Sequence, residues 1–151
     1  MKEKVIFLLD IIFISVISLV QSFSLITFNG VKPNFVLAIL VVFVFLEKKF
    51  WKYLILVLIS LICLNYSVLI SKELAVFGPL MLSSFYFKKY LSESIFLHCV
   101  IFASILTALF YLLTDPGFIF GGFNLFTLEL FYNVSASLII GYLYHYGYEK
   151  E

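Results

Sequence analysis

The chain has 151 residues, 64% of them hydrophobic and 13% charged, against about 45–50% apolar and ~25% charged in a soluble domain. With a mean hydropathy of +1.13, it carries more apolar surface than a water-soluble fold of this size can hide, which points to a membrane protein. The net charge of +1 is a small balance spread over short polar breaks and gives no footing for nucleic acid.

A hydrocarbon core ~30 Å thick is crossed by about 20 apolar residues in a helix. The first apolar segment, residues 5–26, has that length. Met1-Lys2-Glu3-Lys4 ahead of an apolar run looks superficially like a signal peptide. The run is too long for one, however, contains Asp10, and ends in Gln21-Ser22-Phe23-Ser24 without a small-x-small cleavage site, so it reads as a retained helix. The second segment has only 13 apolar residues, 34–46, before Glu47. Its helix is expected over 33–51, starting at Pro33 and running through the charges with lysine stems reaching outward. The third segment covers 53–71. The fourth covers 74–87, where Gly78-Pro79 predicts a kink or a broken first turn. The fifth spans 94–113. A greasy outer loop follows, Asp115-Pro116-Gly117-Phe118-Ile119-Phe120-Gly121-Gly122-Phe123-Asn124, expected to lie among headgroups and to be a candidate docking surface. The sixth segment runs over 125–145.

Six segments without an internal repeat give an all-α, polytopic membrane protein: one compact bundle of six transmembrane helices in a single domain, 1–151. With the N-terminus inside, Lys2, Lys4, Lys48, Lys49, Lys52, Lys88, Lys89 and Lys150 share one side, leaving only Lys32 and Lys72 outside. The positive-inside rule then places both termini in the cytoplasm.

Ionisable groups at membrane depth cost about 2.5–3.5 kcal/mol on insertion scales, so each is a candidate for function. Asp10 lies near the cytoplasmic end of the first helix and Glu129 near the outer end of the sixth, too far apart for a shared acid–base role. The plainer reading is that each carboxylate meets its own interface or a neighbouring helix. His98 and His145 share a level with Asp10, but three separate helices and a surrounding row of tyrosines speak for an interfacial aromatic belt over a metal site. Cys63 and Cys99, inside apolar segments, read as small hydrophobes. The clearest polar stripe is Glu129, Asn133 and Ser137, spaced by four on one face of the sixth helix, with Ala136 and Gly141 beside it. Such a face turns inward as packing glue, with Asn65 and Thr107 as candidate partners, or else lines a ligand cavity or receives a partner's helix. No clustered carboxylates, nucleophile–base pair or His-Glu-x-x-His spacing is visible, so a non-enzymatic protein without a cofactor is expected.

The start of the second segment goes further. Val31-Lys32-Pro33-Asn34-Phe35-Val36-Leu37-Ala38-Ile39-Leu40 is similar to the Arg-Pro-Asn/Asp-x-x-Leu-Leu run that opens the second helix of the rod-shape-determining MreD family, with lysine for arginine. Chain length, six spans, cytoplasmic termini and the place of Asn133 in the last helix are similar as well. The family's glycine-studded third helix, and the Asp-Leu pair and Gly-rich turn after it, are not seen, since residues 31–77 contain no glycine and Leu64-Asn65-Tyr66-Ser67 stands where the acidic pair would be, so no residue is carried over from the third and fourth helices. The resemblance implies a scaffold of the cell-elongation machinery in the bacterial inner membrane. Such a scaffold binds MreC, with MreB and cell-wall synthases as further partners, and so links the cytoskeleton to peptidoglycan synthesis. Its candidate residues are Lys32, Pro33 and Asn34 at the family-specific edge, and Glu129, Asn133 and Ser137 on the inward or partner-facing stripe. The competing class is the substrate-binding component of an energy-coupling-factor vitamin importer, also a six-helix bundle. Ser15 and Ser18 on the first helix are all that resembles its small-residue docking motifs, and no Ala-xxx-Ala occurs.

Overall fold

The computed structural model describes residues 2–23, 27, 30–65, 71–90 and 94–149. Among them are seven α-helices and no strand: α1 (Lys2–Ser22), α2 (Phe35–Leu46), α3 (Phe50–Leu64), α4 (Lys72–Phe87), α5 (Ile95–Thr114), α6 (Pro116–Gly121) and α7 (Phe123–Glu149), with a 3₁₀ turn at Lys88–Tyr90 after α4. Three stretches are long and apolar enough to cross a membrane: Lys4–Ser22, Ile95–Thr114 and Phe123–Tyr146. α2 and α3 are apolar but shorter.

α2 is the axis of the fold. It packs against α1, α3, α4, α5 and α7, and none of its residues from Val36 to Val44 is more than 1% exposed. Its sequence explains this, because a helix that is apolar on every side has no face to turn to water and takes the middle of a bundle. The helices around it show the reverse of a soluble pattern. α1 leaves Val5, Leu8, Leu9, Ile12, Val16 and Leu19 exposed, while the polar Asp10 and Ser18 of the same helix are buried. Apolar outside and polar inside is the arrangement that lipid, not water, rewards.

Several boundaries differ from the sequence expectation, each for a local reason. α2 does not run from Pro33 to Trp51. It begins after an Asn34 cap and stops at Leu46, where Glu47 turns extended (φ −80°, ψ 119°). The three consecutive charges Glu47, Lys48 and Lys49 form the turn into α3. Pro33 thus precedes the cap instead of filling the first turn; it is buried, and its missing N–H leaves one donor fewer to satisfy there. The third helix starts earlier than expected, at Phe50, and ends at Leu64; residues 66–70 of that segment, like 24–26 of the first, lie outside the described residues. α4 is neither broken in its first turn nor interrupted at Pro79. The greasy stretch after α5 is not a loop: Asp115 caps a short helix with Pro116 at its first position, a pairing that favours a helix start. α6 folds Phe118 back onto Tyr111 (ring centroids 4.7 Å) and leaves Phe120 exposed.

Two glycines allow the closest helix contacts. A Cβ on Gly78 would lie 3.0 Å from a methyl of Leu61, at the α3–α4 seam, and one on Gly141 would lie 3.1 Å from the Cys99 sulfur, where α7 meets α5. Gly121 opens on space. Replacing Gly141 with leucine is therefore expected to destabilise the solubilised protein by about 1–3 kcal/mol through overpacking, whereas Gly121→Ala leaves thermal unfolding in detergent unchanged.

Candidate functional site

A helix leaves its first N–H groups and last carbonyls without internal partners. At 1.5 Å per residue, α2 is about 18 Å long, shorter than a ~30 Å bilayer core. Its ends must find partners inside the protein, and they do so through side chains from elsewhere in the chain.

At the N-terminus two other helices and the cap residue supply the partners. Asn133 of α7 accepts the backbone N–H of Asn34 at 2.8 Å and donates its amide to Thr107 of α5 at 3.1 Å. Gln21, in the last turn of α1, accepts the N–H of Val36 at 2.9 Å and donates to the Asn34 side-chain oxygen at 3.0 Å. That oxygen also accepts the N–H of Leu37 at 3.0 Å, which makes Asn34 the helix cap. Three backbone donors at this end are thus held by the amides of Gln21 in α1, Asn133 in α7 and the cap residue Asn34. Lys32 is exposed at the rim, and Pro33 is buried behind it.

Lys88, just past α4, supplies the partners at the other end. Its ammonium donates to the carbonyls of Val44 at 2.8 Å and Glu47 at 2.7 Å and lies 3.7 Å from the centre of the Phe85 ring. A cation is the favoured partner for a helix C-terminus. Burial pulls the Lys88 pKa below the usual lysine range, and the Glu47 carboxylate works against that shift.

The polar stripe of α7 faces α5. Glu129 accepts the Tyr111 hydroxyl at 2.6 Å, Asn133 reaches Thr107, and Ser137 lies 3.5 Å from the Cys99 carbonyl while donating to Val134 within its own helix at 2.9 Å. As α7 advances through Glu129, Asn133 and Ser137, its partners on α5 run backward through Tyr111, Thr107 and Cys99, as they do between antiparallel helices. Glu129, Asn133 and Ser137 are at most 2% exposed. They lie inside the bundle, not on a face open to a partner. Of the two partners proposed from sequence, Thr107 meets the stripe; Asn65 instead closes α3, its N–H bonded to Leu61.

Asp10 and Glu129 sit at opposite ends of the bundle. Asp10 accepts the Tyr144 hydroxyl at 2.8 Å and feels the charge of Lys52. Tyr144 and Glu129 are fifteen residues apart on α7, about 22 Å at the helical rise. The two carboxylates thus have separate tyrosine partners and do not share a bond. His98 stacks on Phe45 with ring centroids 4.5 Å apart, and His145 meets the Phe96 ring edge-on. Among the described residues no three of His, Cys, Asp or Glu converge on a metal position. Cys99 and Cys63 are free thiols.

Sequence reasoning missed Gln21, Tyr111, Tyr144 and Lys88. An amide in the last turn of an otherwise apolar helix was the one available signal, since a polar group at that depth needs a partner. The tyrosines and Lys88 carried none, because their partners lie 18 to 134 residues away.

Beside the α2 N-terminus lies a cavity of about 200 Å³ lined by Gln21, Lys32, Asn34, Ser71 and Glu73 together with Phe77. Bonds from its own backbone N–H and from Ser71 hold the Glu73 carboxyl below the usual range. No family model, curated protein or solved structure matches the chain.

Removing Asn133 is expected to strand two partners at once, the buried Thr107 hydroxyl and the half-buried Asn34 N–H. Asn133→Ala should lower stability by about 1–3 kcal/mol. Thr107→Val, which removes a single bond and keeps the shape, should cost less than half of that in the same detergent melting series.

Proposed function

We propose that this protein is a non-enzymatic scaffold of the MreD kind, with six spans and both termini in the cytoplasm of a bacterial inner membrane. There it binds MreC and links MreB and the cell-wall synthases into one elongation complex. The observation that carries this reading is the 2.8 Å bond from Asn34 to Asn133. The resemblance draws attention to both positions, 99 residues apart, and the fold joins them at the start of its innermost helix. A frame locked in this way suits a subunit that presents fixed surfaces to partners.

Because Glu129, Asn133 and Ser137 are used inside the bundle, the partner surface of this reading lies elsewhere. A groove of about 500 Å³ runs between α1 and α7, lined by Leu9, Ile12, Val16, Ile140 and Leu143. In this reading a partner's single transmembrane helix seats there, apolar side to apolar side. Lys32 remains at the outer rim, within reach of headgroups or of a partner's periplasmic segment.

The vitamin-importer reading draws on the polar cavity by Asn34. Its volume of about 200 Å³ falls short of the roughly 300–1,000 Å³ of typical small-molecule sites, so the scaffold is preferred.

Gentle solubilisation of native membranes and recovery of the tagged protein separates the two. MreC and wall synthases are expected to co-purify; recovery of paired ATPases with a coupling subunit would instead establish the importer. Filling the groove with Val16→Trp and Leu143→Trp should cut MreC recovery at least tenfold, the scale of a lost hot spot. Leu97→Trp and Leu112→Trp, on the exposed face of α5, should leave it intact.

A further inference from the structure

At the lysine-rich end, where α1 meets the turn between α2 and α3, lies a cavity of about 350 Å³. One side is cationic, formed by Lys48, Lys49 and Lys52; the other is apolar, formed by Ile6, Phe7 and Leu46. We propose that this cavity binds the phosphate headgroup of an anionic lipid, with the acyl chains leaving along the exposed apolar side of α1.

The lysines are not spread as a solvated face would be. Three of them fall within five positions and surround one cavity, and Lys52 is only 8% exposed. Its ammonium lies 5.1 Å from the centre of the Phe7 ring, held at the cavity instead of snorkelling into bulk water. An ammonium carries three donors, so a lysine that already meets one neighbour can still bond a phosphate oxygen.

The opposing charges do not cancel this field. Glu47 also lines the cavity, but its carboxylate acts on Lys88, and Asp10, which feels Lys52, accepts the Tyr144 hydroxyl. Three lysines and one carboxylate thus line the cavity, which leaves its wall net positive.

The apolar wall distinguishes a lipid from a free anion. Phe7 packs edge-on against Trp51 at 5.8 Å, and Trp51 is half exposed, as an indole at the headgroup level would be. Beside Phe7, Leu8 and Ile12 lie one turn apart on the exposed surface of α1, a path for a hydrocarbon chain along the helix. The volume lies within the roughly 300–1,000 Å³ range of small-molecule sites. By contrast, the cavity at the opposite end sets Lys32 against Glu73 and offers no net attraction to an anion. Basic pockets between membrane helices are a recurring form of anionic headgroup recognition. The inference needs the chain to lie in a bilayer, and it stands whether or not the scaffold reading holds.

The test is lipid binding by the full-length protein, read by native mass spectrometry with phosphatidylglycerol, phosphatidylcholine or inorganic phosphate as the probe. Phosphatidylglycerol should be retained and phosphatidylcholine should not. Each lysine near an anionic surface contributes about fivefold in affinity, so the double variant Lys48→Gln, Lys49→Gln should bind phosphatidylglycerol roughly 25-fold more weakly. Both side chains are exposed, and an unchanged melting temperature without lipid confirms folding. The control Lys4→Gln, Lys89→Gln removes two exposed charges from the same end without touching the cavity and should lose far less. Equal retention of the two lipids, or equal loss in the two double variants, would overturn the proposal. So would displacement of the lipid by millimolar inorganic phosphate, which would assign the cavity to a free anion.

Discussion

The short helix α2 must have its ends satisfied away from water, and most of the architecture follows from that requirement. A backbone polar group in an apolar setting costs several kcal/mol if left unpaired. A twelve-residue helix enclosed by five others therefore imposes conditions on its neighbours. α1 must end in an amide that reaches two groups at once, which Gln21 does. α7 must present an amide at the same height, which fixes Asn133. The chain after α4 must deliver a cation to the far end, which Lys88 does.

Those conditions also set the register of the remaining helices. Asn133 cannot hold Asn34 unless α7 stands at one height relative to α5, and the Thr107 bond keeps it there. Tyr111 with Glu129 above and Gly141 against Cys99 below continue the same register along the seam. Helices in lipid gain little from hiding apolar surface from one another, so close packing and a few internal hydrogen bonds must supply cohesion. The α5–α7 seam has both, small residues at the tightest approach and polar pairs at every fourth position.

The sequence carried much of this, unevenly. The apolar segments and the inward turn of the Glu129 stripe were legible from composition and spacing, because a four-residue period places residues on one helix face. The junctions were not. The length needed to cross a bilayer argues for a helix through Glu47, Lys48 and Lys49, whereas the backbone leaves the helix at Glu47 and Lys88 caps it from 41 residues away. The Asp115-Pro116 pair was a readable helix start whose signal was outweighed by the glycines that follow it. Gln21 and Tyr144 could not be assigned from sequence, since their meaning lies wholly in partners brought near by the fold. In sequence the stripe reads as inward packing glue or as a partner-facing surface, and in three dimensions it is an internal clamp.

Amide hydrogen exchange on the protein reconstituted in lipid nanodiscs tests the central claim most directly. If α2 is clamped by side chains from α1 and α7, the amides of Asn34, Val36 and Leu37 should exchange as slowly as those in the middle of the helix, well below the rate of an open helix end. Asn133→Ala should release Asn34 first. Fast exchange at all three positions in the unaltered protein, with the middle of α2 still protected, would contradict the account and make the α2 terminus an ordinary frayed end.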